Sequence, residues 1–144
     1  NYRPGTLLPI ISKVMERIVA ESILRHFEAQ RLMSPAQHGF RKHHSCLSNL
    51  LLTLDDWTQV LDDKGCIHAC YLDISKAFGR VDHHLLLMKL QGFGLTGKLL
   101  DWLNYYLSHS KVRVREGGTL SREIEVTSGV SQCSVLGPLL FLHT

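Results

Sequence analysis

The chain has 144 residues, enough for one domain with a hydrophobic core, and its 44% hydrophobic and 20% charged residues exclude an intrinsically disordered protein. Its longest apolar runs, such as residues 135–142, are too short to span a bilayer, and no secretory signal opens the sequence. The net charge of +3 permits contact with nucleic acid but does not require it. We therefore expect an intracellular protein of the nucleus or cytoplasm, with reduced cysteines and no membrane partner.

Two helices are predicted in the first half of the chain. Ser12 is the predicted N-cap of the first helix, in which apolar residues recur at helical spacing. These residues are Met15, Ile18, Val19, Ile23 and Phe27. Ser45 is predicted to begin the second helix, and Gly65 to end it. The apolar side of the second helix consists of Leu47, Leu50, Leu51, Leu54 and Trp57.

The second half of the chain mixes strand and helix signals. Residues 66–74 favour a buried strand. Asp82 is a predicted cap for a short helix that runs to Gly92, and Thr96 is a predicted cap for the next helix.

Residues 112–115 and 123–126, on either side of Gly117 and Gly118, then alternate between apolar and charged side chains. This pattern predicts a β-hairpin with one buried face. An apolar helix is expected after the hairpin. The order of elements indicates an α+β fold.

Asp73 is the first residue with a candidate chemical role. A carboxylate at the end of an apolar strand is costly to bury without a partner, and metal ions are common partners. Asp73 could hold Mg²⁺ together with the backbone carbonyl of Ile74. An Asp that ends a strand and turns the chain explains the same residues, and on this segment alone it is the simpler interpretation.

A second candidate segment follows the predicted hairpin. Ser128 and Gly129 predict a flexible corner that would let backbone amides approach a nucleotide or base pair closely. Taken alone, this corner is more simply interpreted as an ordinary connection between a strand and a helix.

Taken together, four segments resemble, in order and spacing, successive motifs of LINE-type (non-LTR retrotransposon) reverse transcriptases. The resemblance covers nearly the whole chain. The four segments are Asn1-Tyr2-Arg3-Pro4; Gln37-His38-Gly39-Phe40-Arg41-Lys42; Tyr71-Leu72-Asp73 with Ser75-Lys76-Ala77-Phe78; and Ser128-Gly129-Val130 with Ser134-Val135-Leu136-Gly137-Pro138.

The resemblance implies a right-hand polymerase fold. Residues 1–65 would form a fingers-like subdomain, and residues 66–144 a partial palm that is truncated before the metal-binding Asp-Asp hairpin of the family. The implied partners are an RNA template, a DNA primer and deoxynucleotides. The implied reaction is attack of the primer 3′-hydroxyl on the α-phosphate, assisted by two Mg²⁺ ions.

The resemblance also implies roles for individual residues. Asp73 matches the first metal-binding aspartate, with the carbonyl of Ile74 beside it. Phe78 matches the bulky residue that crowds the sugar 2′ position and favours deoxynucleotides. Arg41 matches an arginine near the incoming triphosphate, where its fork of donors suits phosphate. Gln132 falls in the motif beside the nucleotide and template.

Four residues depart from the usual motifs. Gly5 replaces Ile, Gly79 replaces Asp, Ser131 replaces Pro, and Cys133 replaces Gly.

One carboxylate cannot hold two metal ions, so we expect the isolated chain to be inactive. The alternative is a non-catalytic remnant that binds RNA or protein.

The apolar helix after Ser134 is expected to lack its usual cover of palm strands. An exposed apolar segment would then favour aggregation or a protein partner. Its residues are Leu136, Leu139, Leu140, Phe141 and Leu142.

Overall fold

The computed structural model describes residues 5–142, so the motif at residues 1–4 lies outside the described part. The chain divides into two compact units. We call Arg31–Ser75 the smaller unit, and the segments Asn1–Gln30 and Lys76–Thr144 together the larger unit. Helices and short strands occur together, as the predicted α+β class requires. Within residues 5–142, no helix has the length and apolar character needed to cross a membrane.

The first helix of the larger unit, α1 (Ile10–Ala29), begins after Pro9 and not at the predicted cap Ser12. The Pro9 carbonyl oxygen accepts the first helical hydrogen bond, so Ser12 lies inside the first turn. The buried face also differs from the predicted apolar stripe, because Met15 and Ile18 are about half exposed. The buried residues of α1 are Glu16, Ala20, Ile23 and Phe27.

Helices α3 (His83–Gly92) and α4 (Lys98–Ser108) pack against each other in the larger unit. Asp82 caps α3 as predicted, because its Oδ1 accepts a first-turn amide at 2.9 Å. The prediction that Thr96 caps α4 is wrong, since the N-cap is Gly97. Gly97 has φ 64° and ψ −147°, a conformation that is essentially restricted to glycine. The buried residues of the pair are Leu86, Leu90, Leu103 and Leu107.

Four short strands form the predicted hairpin: β1 (Lys111–Val112), β2 (Arg115–Glu116), β3 (Thr119–Leu120) and β4 (Ile124–Glu125). Strand β2 pairs antiparallel with β3, and β1 with β4. Both glycines of the tight turn, Gly117 and Gly118, have positive φ, as this kind of two-residue turn requires. The predicted buried face is wrong, because every strand residue is exposed. Each strand pairs over only two residues, which is too short to present an apolar face for packing.

The last helix, α5 (Leu136–Phe141), contradicts the expected exposed C-terminal segment. Leu136, Leu139 and Leu140 are at most 4% exposed, and residues 141 and 142 are partly covered. The cover comes from α1 and from a 3-10 turn, Ala77–Arg80. These elements supply the cover that this helix had been expected to lack. The expected exposure of this segment is therefore wrong, and the expectation of aggregation or a partner through it has no support.

The smaller unit contains one helix, α2 (Cys46–Asp62). Ser45 caps it as predicted, and Ser48 completes a reciprocal capping box with it. Past the helix end, Gly65 N donates to the Val60 carbonyl oxygen at 2.8 Å. No residue of α2 is buried. The leucines of its apolar side are all more than half exposed: Leu47, Leu50, Leu51 and Leu54.

The predicted strand at residues 66–74 is not formed. These residues have no regular secondary structure, and Tyr71, Leu72 and Ile74 are between 64% and 92% exposed. A strand needs a neighbour to satisfy its backbone hydrogen bonds and a surface on which to bury one face. Among the described strands, the two ladders are both within the hairpin, so none pairs with this segment.

Candidate functional site

Residues 128–135 form a corner between β4 and α5, and its first half lies against the 3-10 turn. Gly129 N donates to the Val81 carbonyl oxygen at 2.7 Å, and Val130 N donates to the Phe78 carbonyl oxygen at 2.8 Å. Gly129 has φ 85°, and a Cβ there would lie 2.9 Å from both Gly79 Cα and the Phe78 oxygen. This glycine therefore allows a close backbone contact within the chain, and the corner is pinned where the sequence had predicted flexibility.

The second half of the corner is held by Glu16 of α1. The Glu16 side chain is buried, and its Oε2 accepts hydrogen bonds from Val135 N at 2.7 Å and from Leu136 N at 3.3 Å. Its Oε1 accepts a hydrogen bond from the Tyr106 hydroxyl at 2.8 Å. Burial, followed by this hydrogen bond and the negative charge of Glu16, raises the pKa of Tyr106 far above its usual range. One carboxylate thus joins α1, α4 and the start of α5.

Two further side chains fix the corner from within the larger unit. Ser134 Oγ donates to the Ser131 carbonyl oxygen at 2.7 Å and accepts from Gly137 N at 2.8 Å. His83 Nε2 donates to the Gly129 carbonyl oxygen at 2.7 Å, which requires the proton to be on Nε2.

The predicted site residue Gln132 lies between these anchored ends. It is partly exposed, and its side chain has no hydrogen-bond partner within residues 5–142. The neighbouring Cys133 is exposed and has φ 67°, in the left-handed region that favours glycine. The corner is thus fixed at both ends and presents Gln132 between them.

Phe78, the predicted sugar-selecting residue, lies beside the start of this corner. Its carbonyl oxygen holds Val130 N, and its ring is half-buried in a stack on the Phe141 ring, with centroids 4.8 Å apart. The structure therefore brings the backbone of Phe78 next to the corner that contains Gln132.

The other predicted site residues belong to the smaller unit. Asp73 and Ile74 are exposed, and within residues 5–142 Asp73 makes no hydrogen bond or ion pair. Arg41 Nη1 donates to the Ser34 carbonyl oxygen at 3.1 Å, and the rest of its guanidinium has no acceptor within residues 5–142. The structure does not link Arg41 with Asp73.

The described residues contain no group of three or more His, Cys, Asp or Glu that could hold a metal ion. Asp73 and the Ile74 carbonyl would contribute two oxygen ligands, whereas a two-metal site needs several carboxylates. The described residues therefore do not fit a two-metal site on their own.

Sequence reasoning missed three residues that hold the corner: His83, Glu16 and its partner Tyr106. Glu16 carried a readable signal, because it precedes the apolar residues Ala20, Ile23 and Phe27 at helical spacing and so lies on the buried stripe. A carboxylate on a buried stripe indicates donors inside the core. Its donors, the Tyr106 hydroxyl and the amides of α5, are 90 to 120 residues away in sequence.

Comparison with known proteins identifies the family to which these elements belong. The model for reverse transcriptase (RNA-dependent DNA polymerase) matches residues 1–144. The chain belongs to the reverse transcriptase family. This finding confirms the resemblance predicted from the four motifs. The family implies a nucleic-acid template and nucleotide substrates, and its members generally use divalent metal ions.

The relatives are polymerases of mobile elements. The chain is 38% identical over 141 residues to the probable RNA-directed DNA polymerase from transposon X-element of Drosophila melanogaster, a match that covers 98% of the chain and 15% of the relative. It is 34% identical to the RNA-directed DNA polymerase from mobile element jockey of Drosophila funebris, with the same coverage of both. It is also 31% identical over 70 residues to a Pol polyprotein from retrotransposable element R2 of Popillia japonica, covering 49% of the chain and 12% of that protein.

The chain therefore matches a part of the RNA-directed DNA polymerases of non-LTR retrotransposons, as the motifs predicted. The chain spans about 15% of the length of the first two relatives. No solved structure matches it significantly.

Proposed function

We propose that this chain contributes the fingers-like and partial palm parts of an RNA-templated DNA polymerase. In this assignment residues 1–65 belong to the fingers and residues 66–144 to the palm, up to but not including the Asp-Asp hairpin of the family. The reaction joins a primer 3′-hydroxyl to the α-phosphate of a deoxynucleoside triphosphate and releases pyrophosphate. Support comes from the family match over residues 1–144 and from the order of the four motifs.

Asp73 and the Ile74 carbonyl are the proposed protein ligands for Mg²⁺. Both are exposed, and the carboxylate of Asp73 has no competing partner in the described chain. Bound divalent ions would stabilise charge on the attacking and leaving oxygens. Mg²⁺ usually keeps waters and takes further oxygens from substrate phosphates, so these two ligands are a part of the site and not the whole of it.

Arg41 is the proposed contact for the triphosphate. Its guanidinium donates one hydrogen bond to the Ser34 carbonyl oxygen, which holds the side chain while other N–H groups stay available. A planar guanidinium suits phosphate oxygens because it can donate two parallel hydrogen bonds.

Phe78 and Gln132 are the proposed contacts for the sugar and for the nucleotide with its template. One observation carries the proposal: the backbone hydrogen bonds of Gly129 and Val130 to Val81 and Phe78. They hold the residue implied in sugar selection beside the segment implied to face the nucleotide. Two motifs that are separated by about fifty residues of sequence thus meet as one polymerase site requires.

The experiment that tests this function is RNA-templated primer extension. The chain alone would be compared with a chimera in which it replaces the matching 141 residues of the jockey polymerase from Drosophila funebris. We expect the chimera to extend the primer with Mg²⁺ and deoxynucleotides. Asp73→Asn should abolish extension, whereas Asp56→Asn, an exposed carboxylate on α2 of the same unit, should leave it unchanged.

A folded chimera that binds template and primer but does not extend would contradict the proposed function. So would extension that survives Asp73→Asn. RNA binding by the chain that weakens steeply with salt but does not depend on Mg²⁺ would instead support a non-catalytic RNA-binding remnant.

A further inference from the structure

Glu16 is a buried carboxylate to which the proposed function assigns no role. Its side chain is 1% exposed in the core of the larger unit. The two ion pairs within residues 5–142 both involve Glu123 of the hairpin, so no cation neutralises Glu16 there. Within the described residues its hydrogen-bond partners are the Tyr106 hydroxyl and the amides of Val135 and Leu136.

An apolar side chain at this position would fill the core without the cost of burying a charge. A carboxylate offers what a leucine cannot, namely acceptors for two consecutive backbone amides and one hydroxyl. Those amides are the last of the corner and the first of α5. The Glu16 carboxylate therefore holds the end of the corner through hydrogen bonds, in addition to packing in the core.

The corner has two anchored ends with Gln132 between them. The start is fixed to Phe78 and Val81 through backbone hydrogen bonds of 2.8 and 2.7 Å. The end is fixed to Glu16 through hydrogen bonds of 2.7 and 3.3 Å. Because α1 contributes the second anchor, a change at Glu16 is transmitted to Gln132 through only three residues of backbone.

We propose that Glu16, oriented by Tyr106, is a positioning residue that sets the nucleotide-facing geometry of Gln132. This inference rests on the proposed function, since it takes Gln132 to contact a deoxynucleoside triphosphate and its template. Glu16 itself touches no substrate. It acts through the corner, so its loss should weaken nucleotide binding more than the chemical step.

Three substitutions separate the contributions of the hydrogen bonds. Glu16→Ala removes all three acceptor contacts. Glu16→Gln keeps an oxygen for the two amides, while its amide group can donate to the Tyr106 hydroxyl oxygen. Tyr106→Phe removes one hydrogen bond and leaves both amide contacts in place. Glu21→Gln, an exposed carboxylate on the same helix, is the matched control.

The first measurement is KM and kcat for a deoxynucleotide in primer extension by the chimera. We expect Glu16→Ala to raise KM about tenfold with kcat changed by less than about threefold, because a small displacement of a binding group weakens the contacts it makes. Glu16→Gln and Tyr106→Phe should raise KM by less than about threefold. Glu21→Gln should leave both constants unchanged.

The decisive test combines Glu16→Ala with Gln132→Ala. If Glu16 acts through Gln132, the double variant should have the KM of Gln132→Ala alone. An additional tenfold increase in the double variant would mean that Glu16 acts on the fold in general, and would overturn the proposal. No effect of Gln132→Ala by itself would overturn it as well, and would also remove Gln132 from the proposed function.

A second measurement needs no polymerase activity. In the 144-residue chain, amide hydrogen exchange at Val135 and Leu136 should rise at least about tenfold in Glu16→Ala and by less than about threefold in Glu16→Gln, which keeps an acceptor for both amides, while the amides of α3 stay protected. Unchanged exchange at these two amides would overturn the proposal even if Glu16→Ala proved too unstable for kinetics. If the parent chimera were inactive but the 144-residue chain showed the expected hydrogen exchange, the result would contradict the proposed function and support Glu16 as an anchor of the corner.

Discussion

Both units contain helices with many leucines, but the units differ sharply in what they bury. The larger unit has a core to which α1, α3, α4 and α5 all contribute fully buried side chains. In the smaller unit, Arg31–Ser75, only Met33 and His38 are buried, each with 8% exposure. The apolar leucines of α2 are on the surface.

The difference shows that a helix can be specified by local interactions without being stabilised by a core. In α2 the recorded support is local: the Ser45–Ser48 capping box, a hydrogen bond of 2.8 Å between His38 Nδ1 and Ser48 Oγ, and the closing hydrogen bond of Gly65. In proteins most of the stability of a helix comes from packing its apolar face on a core, and α2 has no buried residue. We therefore expect the smaller unit to open at lower free energy than the larger unit.

The largest effect should come from matched leucine substitutions in the two units. Leu103→Ala in α4 removes a side chain with 0% exposure, whereas Leu54→Ala in α2 removes one with 55% exposure. We expect Leu103→Ala to lower the free energy of unfolding by about 3 kcal/mol, and Leu54→Ala to change it by less than about 0.5 kcal/mol. Urea denaturation followed by tryptophan fluorescence measures both.

The chain offers one tryptophan in each unit for this experiment, Trp57 in α2 and Trp102 in α4. A Trp57→Phe background reports on the larger unit, and a Trp102→Phe background on the smaller. Equal losses from Leu103→Ala and Leu54→Ala would contradict the difference in burial. Coincident transitions of the two tryptophans would contradict a lower opening energy for the smaller unit.

The second effect is a loss of stability in alkali that arises in the larger unit. The raised pKa of Tyr106 means that the native state keeps its phenol proton while an unfolded tyrosine releases it near pH ~10. Above that pH the unfolded state binds fewer protons, so the free energy of unfolding falls as the pH rises towards the native pKa. We expect a slope of at most about 1 kcal/mol per pH unit, because the half-buried side chain is partly screened by solvent.

Urea denaturation of the unmodified chain and of Tyr106→Phe, at several values between about pH 9 and about pH 11, measures this slope. The three other tyrosines are present in both proteins, so the difference isolates Tyr106. The substitution should lower stability at neutral pH by about 1 kcal/mol and flatten the alkaline slope. An alkaline slope that persists unchanged in Tyr106→Phe would exclude this hydroxyl as its source.

These contrasts explain which parts of the fold could be predicted. Ser45, Asp82 and the Gly117-Gly118 turn act within a few residues of chain, and all three predictions are confirmed. The strand at residues 66–74 depends on a neighbouring strand, which the sequence pattern of one segment cannot supply. The exposed hairpin and the buried α5 were mispredicted for the same reason, since both depend on what covers them.

Part of the candidate site, too, could be predicted from the sequence, and part could not. Motif order identified the family, and the structure brings Phe78 to the corner of Gln132. The roles of Asp73, Ile74, Arg41, Phe78 and Gln132 remain predictions. Glu16 was overlooked because its hydrogen-bond partners are remote in sequence. Its burial could be inferred from the helical periodicity only if a carboxylate was allowed on the apolar face.

The third prediction compares the stability lost when the N-cap of one helix in each unit is removed. Ser45→Ala removes the capping box of α2, and Asp82→Ala removes the cap of α3. Each should cost about 1 kcal/mol of local helix stability. In α3 buried leucines still hold the helix, so the amides should stay protected. In α2 we expect the helical amides to exchange faster and the helical signal to fall. Hydrogen exchange and circular dichroism check this, and equal protection of both helices after substitution would show that α2 has support beyond its cap.

The smallest effect concerns backbone strain at one residue in each unit. Lys64, after α2, has φ 59°, and Cys133, in the corner, has φ 67°. A residue with a Cβ is disfavoured in this region by about 1 kcal/mol or more, and the greater freedom of unfolded glycine offsets part of the gain from replacement. We therefore expect Lys64→Gly and Cys133→Gly each to raise stability by about 0.5 kcal/mol.

The increases in stability from Lys64→Gly and Cys133→Gly should appear in different measurements. Lys64 N and Gly65 N both close the end of α2, so Lys64→Gly should slow hydrogen exchange in the last turn of that helix with little change in the transition seen by Trp102. Cys133 lies between the two anchored ends of the corner, which is part of the larger unit. Cys133→Gly should therefore shift the unfolding transition that Trp102 fluorescence reports. Cys133→Ser is the matched control, because it keeps the Cβ and should give no gain. If Cys133→Gly lowered stability and Cys133→Ser did not, the anchors would hold the corner without strain, and the loss would reflect only the added freedom of the unfolded chain.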